Sequence, residues 1–486
     1  MRPKISSLEA YPWTNVRILP LKSRAEIWAP SIQWDSAVGG VSLLSEDFMA
    51  TARFPILPVL EHAKTILSRV PDPLADYHVV CVQHLLETTG SLIQAFIDLG
   101  CDPQKLHILG KVYSANDSVV ERLKALRVRV HHSDMSFEWG RYSEQLLREA
   151  RDMWGIVHNE SSHGDRIIVL DDGGACVETI PETIISSRII KAVEQTMSGI
   201  TRYYDRQPPV PVIEVASSAA KTLLESPLIR QAVLERVAAI GVLNKQTIAG
   251  VVGVGNIGNA VMHSLIDGCQ EVHVFDIDSE TTRGLKGVLV SNSLTELVES
   301  VDVVWGCTGV DLFATDDSWR DIRGDKIFIS CSSQDHEFRS ILTTLNGGQE
   351  FDDHDRRSDV TIPLEHGSIR VLKGGFPVNF DGSPESVPGP DIQLTRALLL
   401  GGVLQSVHEN GCPFMRIMLN PRTQVAIVRS WLKERSENRS LYDDEITRGF
   451  DSESWVVNHS GGHYSSQSQR EEVMQPSALQ AGYQHS

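Results

Sequence analysis

The sequence has 486 residues and a formal net charge of -18, with 41% hydrophobic, 22% charged and 6% aromatic residues. These proportions are typical of a globular protein and exclude a disordered or fibrous chain. The negative charge argues against a nucleic-acid partner, because that binding draws its affinity from Lys and Arg contacts with phosphates.

The length suggests two domains, since single hydrophobic cores stop growing beyond roughly 250–300 residues. No apolar run has membrane-spanning length, and residues 1–20 lack the basic and then apolar order of a signal peptide. We therefore expect a cytoplasmic protein without a membrane partner. The seven cysteines are scattered without CxxC spacing, which favours buried thiols over a disulfide frame or a metal site.

From residue 77 the sequence alternates between short apolar runs and helix-like segments, which predicts an α/β fold with parallel sheets. The predicted strands are residues 79–82, 107–109, 166–170, 210–215, 246–252, 271–275, 297–305, 326–330 and 368–373. The predicted helices are residues 89–99, 119–126, 181–199, 219–241, 259–266 and 391–408. Two such sheets fit the length of the chain.

The predicted strand 166–170 ends on Asp171-Asp172-Gly173-Gly174. Ligands of open α/β sheets bind outside the carboxyl ends of the strands. Asp172 is therefore a candidate site residue. The alternative is a strand-ending Asx turn followed by glycine.

A glycine-rich turn joins the predicted strand 246–252 to the predicted helix 259–266. Gly253 permits the tight turn, Gly255 lets a ligand approach the backbone, and Gly258 lets the helix pack closely on the strand. In this context the G-x-G-x-x-G spacing predicts a dinucleotide site, with the pyrophosphate at the helix N-terminus. A glycine turn without a ligand is the alternative.

Asp276 ends the next predicted strand, about 20 residues beyond the glycines, where a carboxylate accepts hydrogen bonds from the adenosine ribose hydroxyls. Its negative charge would repel a 2′-phosphate. We therefore expect NAD as the cofactor, while Arg283 nearby keeps NADP open.

The order of the segments predicts the domain organisation. An irregular N-terminal segment (residues 1–50) precedes a substrate domain (51–225, completed by 380–433) and an NAD-binding Rossmann domain (226–379). Both domains are expected to contain a Rossmann-like parallel sheet. Residues 434–486 are rich in Ser, Gln, Glu, Asn and His, which predicts a disordered polar tail.

Several short segments resemble, in their order and spacing, the S-adenosylhomocysteine hydrolase (adenosylhomocysteinase) family over residues 48–408. The segments are His84 with Glu87-Thr88-Thr89, Tyr113-Ser114-Ala115-Asn116-Asp117, Asp171-Asp172-Gly173-Gly174, Glu194-Gln195-Thr196-Met197-Ser198-Gly199, Lys221, the Gly253 turn, Cys307-Thr308-Gly309 and Val378-Asn379. The resemblance implies a tightly held NAD that oxidises the substrate 3′-hydroxyl. The C4′ proton is thereby acidified, the 5′ thiol leaves and water adds, and the oxidation is then reversed.

The resemblance also implies roles for individual residues. Lys221 falls on the family lysine beside the 3′-hydroxyl, Asp172 on the catalytic aspartate and His84 on the histidine near the 5′ position. Gln195 and Glu225 stand where the family has a glutamate and an aspartate that bind the ribose. The implied cofactor-binding residues are Gly253, Gly255, Asn256, Ile257, Gly258, Asp276, Thr308, Gly309 and Asn379.

The sequence departs from the family at the adenine end. Leu86 and Thr88 occupy positions where the family has Thr and Glu to read the base edge. The family's His-Phe-Asp motif is present only as Ser333-Gln334-Asp335, and its Gly-His-Pro loop after Asn379 has no evident His. We therefore expect an altered substrate specificity.

Three functional interpretations stay open. The first is an NAD-dependent enzyme with the family's redox chemistry, acting on a nucleoside thioether or another hydroxylated small molecule. The second is a catalytically silent NAD-binding regulator or scaffold, and the third is a simple dehydrogenase that releases NADH. Taken singly, Lys221, His84 and Asp172 also have structural explanations, as a solvated helix lysine, a core histidine and a turn former. The oligomeric state stays open, a homo-oligomer included.

Overall fold

The computed structural model describes residues 53–131, 135–202, 207–348, 355–408 and 415–437. The predicted irregular segment at residues 1–50 lies outside these ranges, and so does the predicted polar tail apart from residues 434–437. Those four residues belong to the last described helix, Pro421–Glu437. Among the described helices, none combines the length and the apolar character needed to cross a membrane.

The strands of the described residues form two sheets of seven strands each. The first sheet contains β1 (Tyr77–Gln83), β2 (Leu106–Gly110), β3 (Arg129–His131), β4 (Arg166–Asp171), β5 (Ile189–Glu194), β6 (Val212–Glu214) and β14 (Arg416–Met418). The second sheet contains β7 (Ile248–Val252), β8 (Glu271–Phe275), β9 (Leu289–Val290), β10 (Val303–Gly306), β11 (Arg323–Ser330), β12 (Val360–Leu364) and β13 (His366–Val371). The predicted fold class, α/β with two Rossmann-like parallel sheets, is confirmed.

The two sheets agree in the order of five strands, β5-β4-β1-β2-β3 in the first and β11-β10-β7-β8-β9 in the second, and differ in the remaining two. The full order is β14-β6-β5-β4-β1-β2-β3 in the first sheet, with parallel neighbours throughout, and β12-β13-β11-β10-β7-β8-β9 in the second, where the edge strand β12 is antiparallel to β13. In each sheet the chain starts in the middle, runs outward through two strands and then returns to the other side of the first strand. The gaps after β1 and β4, and after β7 and β10, are therefore switch points of the kind at which open α/β sheets bind ligands.

Helices connect the strands and cover the faces of both sheets. They are α1 (Pro58–Leu67), α2 (Glu87–Asp98), α3 (Asp117–Ala125), α4 (Tyr142–Glu160), α5 (Ala175–Glu178), α6 (Glu182–Ile185), α7 (Met197–Arg202), α8 (Ser226–Ile240), α9 (Asn256–Ile266), α10 (Ser279–Thr282), α11 (Leu294–Ser300), α12 (Arg339–Leu342), α13 (Gly389–His408) and α14 (Pro421–Glu437). A π-helical turn, Lys221–Glu225, directly precedes α8. The predicted helix 219–241 therefore corresponds to two helical pieces.

Central strands are buried on both faces, which explains their continuous apolar sequences. In β1, Val79 and Cys81 pack into one core with α1, α2 and α13. Val80 and Val82 pack into the core on the opposite face, together with α4. The burial of alternate residues on opposite faces fixes β1 in the middle of the first sheet.

The predicted helix at residues 181–199 is wrong. These residues form α6, strand β5 and the start of α7. β5 pairs in parallel with β4 on one side and with β6 on the other. Its apolar run is too short for periodicity to separate a strand from a helix, and pairing with two neighbours decides for extended backbone.

The predicted strand at residues 297–305 is correct only in its second part, which is β10. Residues 294–300 form α11 instead, and its N-cap Ser293 accepts a hydrogen bond from the backbone N–H of Glu296 at 3.1 Å. Ser followed by Glu three residues later is a known signature of a helix start, so this helix had a local signal.

Candidate functional site

The glycine turn directly follows β7, at the switch point of the second sheet. Gly253 has a left-handed φ of 87°, which a residue with a side chain adopts only under strain. A Cβ at Gly258 would lie 1.8 Å from the Gly253 carbonyl oxygen, so only glycine lets α9 pack this closely on the strand. The fold of the turn itself therefore explains two of the three glycines.

Gly255 has no such explanation within the protein. Its φ of -68° suits any residue, and a Cβ built on it meets no described atom within 4 Å. Among the described residues, no side chain caps the first N–H groups of α9. An open space in front of uncapped N–H groups, those of Asn256 and Ile257 included, fits a pyrophosphate that approaches the backbone.

Asp276 directly follows β8 and is fixed beside the glycine turn. Its Oδ2 accepts a hydrogen bond from the backbone N–H of Val254 at 2.7 Å, and its Oδ1 accepts one from Asp278 at 2.9 Å. Each carboxylate oxygen keeps a further lone pair for a ribose hydroxyl. The residues at this turn therefore fit the adenosine diphosphate half of NAD.

Thr308 and Gly309 follow β10 on the other side of the switch point. Their backbone N–H groups donate to one oxygen of Glu337 at 2.7 and 2.6 Å, and the Ser332 hydroxyl donates to the same carboxylate. Burial raises the pKa of Glu337, against the effect of these donors. Glu337 was not predicted from the sequence, and it holds the loop so that Thr308 lies directly against Gly253.

His84, Asp172 and Lys111 meet at the switch point of the first sheet. His84 follows β1 and Asp172 follows β4, while Lys111 follows β2. The Lys111 Nζ donates a hydrogen bond to Asp172 Oδ1 at 2.5 Å. The His84 Nε2 lies 3.3 Å from Asp172 Oδ2, and its Nδ1 shares a hydrogen bond with Ser114 Oγ at 2.6 Å. The sequence indicated His84 and Asp172, but not Lys111.

Burial and the neighbouring charges set the protonation of this group. Burial lowers the pKa of His84 to about 3, so the imidazole is neutral at neutral pH. Burial alone would raise the pKa of Asp172, but Lys111 and His84 outweigh it and hold that pKa below its ordinary value. The switch point therefore presents an ionised carboxylate beside a neutral imidazole, a pair that can accept and pass on protons.

Lys221 and Glu225 form a second charged pair at the same edge, within the π-helical turn. The Lys221 Nζ contacts the Glu225 carboxylate, whose other oxygen accepts a hydrogen bond from the Thr395 hydroxyl of α13 at 2.9 Å. Lys221 is one of the cations that lower the pKa of Asp172, so the two residues lie within electrostatic reach of each other. The fold thus brings Lys221, Asp172 and His84 to one edge of the sheet.

Asp171 and Glu194 lie in register on the neighbouring strands β4 and β5. Burial raises the pKa of Asp171 to about 6, and burial together with the Asp171 charge raises that of Glu194 well above its ordinary value. This pair therefore holds a proton up to a higher pH than isolated carboxyl groups do. Gln195 follows directly, and its backbone N–H donates to the Asp171 carbonyl at 2.9 Å.

Several buried polar atoms at this edge have no hydrogen-bond partner among the described residues. They are Oε1 of Gln195, Oδ1 of Asp171, Oε2 of Glu194, Oδ2 of Asp172, Oη of Tyr113 and Oε1 of Gln334. Buried polar atoms are normally satisfied, so their concentration here indicates a place for a polar ligand or for water.

Gln334 comes from the second sheet, in the loop after β11. Its φ of 68° is a left-handed conformation that non-glycine residues adopt with strain, and such strain is often found at functional sites. A Cβ at Gly173 would lie 3.9 Å from the Gln334 Nε2. Gln334 therefore reaches the turn that carries Asp172. In the sequence, this position stands out only as a departure from the family's His-Phe-Asp motif.

The segment after β13 covers the same edge. The Phe380 ring stacks on His84 with 4.5 Å between ring centroids. Asn379 is buried and lines a narrow crevice together with Leu86 and Ser114. Asn379 thus lies where the chain passes from the second sheet to the first, beside Leu86 and Ser114 of the first sheet's side.

No protein-family model matches the sequence. Two uncharacterized proteins from two strains of Mycobacterium tuberculosis are 28% identical to this chain over 339 residues. The match covers 67% of this chain and 63% of each relative, so the chain spans less than two thirds of the length of these relatives. Because both relatives are uncharacterized, they suggest no activity.

Three similar solved structures are two dehydrogenases and a reductase. An NAD-dependent formate dehydrogenase from Staphylococcus aureus, solved with NAD, has a TM-score of 0.33 and 13% identity over 68% of this chain and 94% of its own. An acyclic imino acid reductase solved with NADPH and D-Arg has a TM-score of 0.27 and 12% identity over 53% and 83%. A 2-hydroxyacid dehydrogenase from Ketogulonicigenium vulgare has a TM-score of 0.31 and 15% identity over 62% and 95%. At TM-scores this low, function has to be argued from the site itself.

Proposed function

We propose that this protein is an NAD-dependent enzyme that oxidises a hydroxyl group of a small-molecule substrate. Its chemistry would be similar to that of the S-adenosylhomocysteine hydrolase family, with a different substrate. The observation that carries the proposal is that His84 lies 3.3 Å from Asp172 at the switch point of the first sheet, with Lys221 within electrostatic reach of Asp172, while the equivalent switch point of the second sheet carries the glycine turn. Separate structural roles for these three residues would give no reason for them to share one edge of the sheet.

Each group has a separate task in this proposal. NAD, when bound, accepts a hydride from the substrate carbon that bears the hydroxyl. Lys221 takes up the hydroxyl proton at its Nζ during the oxidation and returns it when the oxidation is reversed. Glu225 holds this Nζ in place. Asp172, held below its ordinary pKa by Lys111, accepts the proton from the carbon next to the oxidised centre. His84 passes a proton to or from the group that leaves or adds.

The side chains at the predicted adenine end support a changed substrate. Leu86 is buried and offers no polar atom. Thr88 is already engaged, because its backbone N–H donates to Glu385 at 2.9 Å and its hydroxyl accepts from Arg396 at 3.0 Å. Neither residue is free to read the edge of adenine as the family's Thr and Glu do.

The test begins with a mass-spectrometric inventory of the small molecules that the full-length protein retains through purification. We expect NAD, and we expect absorbance of reduced nicotinamide to appear on the protein when a retained hydroxylated molecule is added back. Loss of both signals in Gly255→Val would connect them to the glycine turn. A protein that neither retains NAD through purification nor binds added NAD would contradict the proposal.

The same measurement separates the alternatives. Retained NAD that no hydroxylated molecule reduces would favour a catalytically silent NAD-binding protein. Free NADH released into solution at each turnover would favour a simple dehydrogenase. Reduction that stays on the protein and is later reversed is expected of the proposed cycle.

A further inference from the structure

Arg396 is a buried cation in α13 that forms no ion pair with any residue the structure describes. Its side chain is 3% exposed. Its hydrogen bond within the described part of the chain runs from Nε to the Thr88 hydroxyl at 3.0 Å, and no described carboxylate lies within 4 Å of it. The two terminal nitrogens of the guanidinium, which form its bidentate fork, are therefore left without a described partner.

The other two cations at this edge are paired. Lys111 contacts Asp172, and Lys221 contacts Glu225. Burying a charged group without a direct partner is costly, because desolvation is not offset by a close opposite charge. Arg396 thus differs from both lysines in a way that a structural role does not explain.

Arg396 faces the same space as the candidate catalytic groups. Burial lowers its pKa, and the charges of Glu385, Glu225 and Asp172 oppose that effect. Arg396 in turn contributes to the lowered pKa of His84, after burial and Lys111. These mutual effects place the guanidinium within electrostatic reach of the switch point of the first sheet.

Glu385 is the acidic neighbour that could have neutralised Arg396, but it is engaged elsewhere. Its Oε2 accepts a hydrogen bond from the Thr88 backbone N–H at 2.9 Å, and its Oε1 accepts one from Ser386 at 3.3 Å. Burial raises its pKa. The cations Lys111, Lys221 and Arg396 share the cleft with several carboxyl groups, so its net charge is not strongly positive and it accepts one additional negative charge more readily than two.

We propose that Arg396 is the specificity residue of the substrate site and binds a carboxylate of the substrate. A carboxylate matches the planar fork of a guanidinium through two parallel hydrogen bonds and adds a single charge. This inference rests on the proposed function and narrows it. The substrate is then a hydroxylated carboxylic acid, with its acid group where the family places adenine and its hydroxyl near Lys221.

The test measures binding rather than turnover. The NAD-loaded full-length protein is titrated with glycerate, threonate, ribonate and gluconate, each paired with its neutral primary amide. The readout is the concentration that gives half-maximal thermal stabilisation. For at least one acid, the concentration for half-maximal stabilisation is expected to be roughly tenfold or more lower than for its amide. This is the difference expected of a charge-assisted hydrogen bond. Glycerol 3-phosphate is the phosphate probe.

Three variants connect the preference to Arg396. Arg396→Met is expected to abolish the preference for the acid over its amide. Arg396→Lys is expected to keep only part of that preference, because a lysine has no bidentate fork. Thr88→Val removes the hydroxyl that orients Nε and should weaken the preference even if Arg396→Met fails to fold. Arg435→Met, which removes an arginine that contacts Asp391 and stacks on Trp431, is the control and should leave the preference unchanged.

Acids that bind no better than their amides would overturn the inference, as would an unchanged preference in a folded Arg396→Met protein. Stabilisation by glycerol 3-phosphate alone would overturn the assignment to a carboxylate. The outcome is independent of the proposed redox function, because NAD content and nicotinamide reduction are measured separately. If the protein prefers the acids but its nicotinamide is never reduced, the carboxylate site stands and the proposed redox function is wrong.

Discussion

Five strands of each sheet, those on both sides of the switch point, have the same order, but different chemical groups surround the two switch points. The second sheet offers backbone and open space, with Gly255 next to uncapped N–H groups. The first sheet offers buried charges, among them Lys111, Asp172 and Arg396. Under the proposed function, one topology serves the cofactor through main-chain atoms and the substrate through side chains.

The two sites should respond to opposite kinds of substitution. A site made of backbone is damaged by added volume, because a new side chain occupies the ligand's space. A site made of paired charges is damaged by removal of one partner, because the other charge stays buried and unpaired.

The largest effect is expected for Gly255→Val. The valine would fill the space that the pyrophosphate needs, so NAD should be absent from the purified protein. Its backbone φ of -68° tolerates a side chain, so the melting temperature of the ligand-free protein should change little. The matched variant Gly258→Ala brings a Cβ to 1.8 Å from the Gly253 carbonyl oxygen and should lower that temperature clearly. Wild-type NAD content in Gly255→Val would show that the turn binds no dinucleotide.

Lys111→Met should cost about 3–5 kcal/mol in the free energy of unfolding, because it leaves the Asp172 carboxylate buried without its cation. Denaturant titration measures this loss. Lys326→Met is the control from the second sheet, where a buried lysine donates only to backbone carbonyls, at 2.6 Å to Val301. The control should lose less, about 1–3 kcal/mol. Equal losses of unfolding free energy in the two variants would mean that the ion pair of Lys111 with Asp172 stabilises the fold no more than hydrogen bonds to backbone carbonyls do.

Lys221→Met should retain NAD but reduce the rate of nicotinamide reduction by roughly a hundredfold or more, the usual effect of losing an acid–base group. Rapid mixing of the NAD-loaded variant with a turnover substrate measures this rate. Lys124→Met, which removes an exposed lysine paired with Glu121, should behave as the wild type. Undiminished reduction by Lys221→Met would return Lys221 to the role of a solvated helix residue.

Asp171→Asn should stabilise the protein in a pH-dependent way. The pKa of Asp171 is raised to about 6 by burial, above its unfolded value of about 3.9, so ionisation destabilises the folded state. This penalty is absent below pH 3.9 and complete above pH 6. The gain in free energy of unfolding should therefore appear at pH 8, at about 3 kcal/mol, and vanish at pH 4.

Asp172→Asn is the matched control, because the pKa of Asp172 is shifted in the opposite direction. Burial opposes the shift, but Lys111 and His84 hold the pKa below its ordinary value. The ionised Asp172 therefore contributes stability above its unfolded pKa, and that stability is lost as the pH falls. Asp172→Asn should destabilise the protein at pH 8. Effects of the same sign in both variants would contradict the assigned protonation states.

The cofactor end of the molecule could be predicted from the sequence because its geometry is local. Gly253 and Gly258 are needed by a turn and a close packing contact that involve residues only a few positions apart. Asp276 reaches the same turn through the adjacent strand β8. The alternation of apolar runs likewise predicted two parallel sheets, since burial on both faces leaves a continuous apolar strand.

The substrate end was decided by the tertiary structure. Lys111 meets Asp172 across 61 positions of the sequence, and Arg396 meets Thr88 across 308. No local pattern signals such a contact, because it exists only after β1, β2 and β4 are paired and α13 is packed on them. The same reason explains the missed strand β5, whose short apolar run became extended only through pairing with β4 and β6. The requirements of the local backbone can thus be recognised from neighbouring residues in the sequence. The buried charge pairs cannot, because they depend on which distant segments the fold brings together.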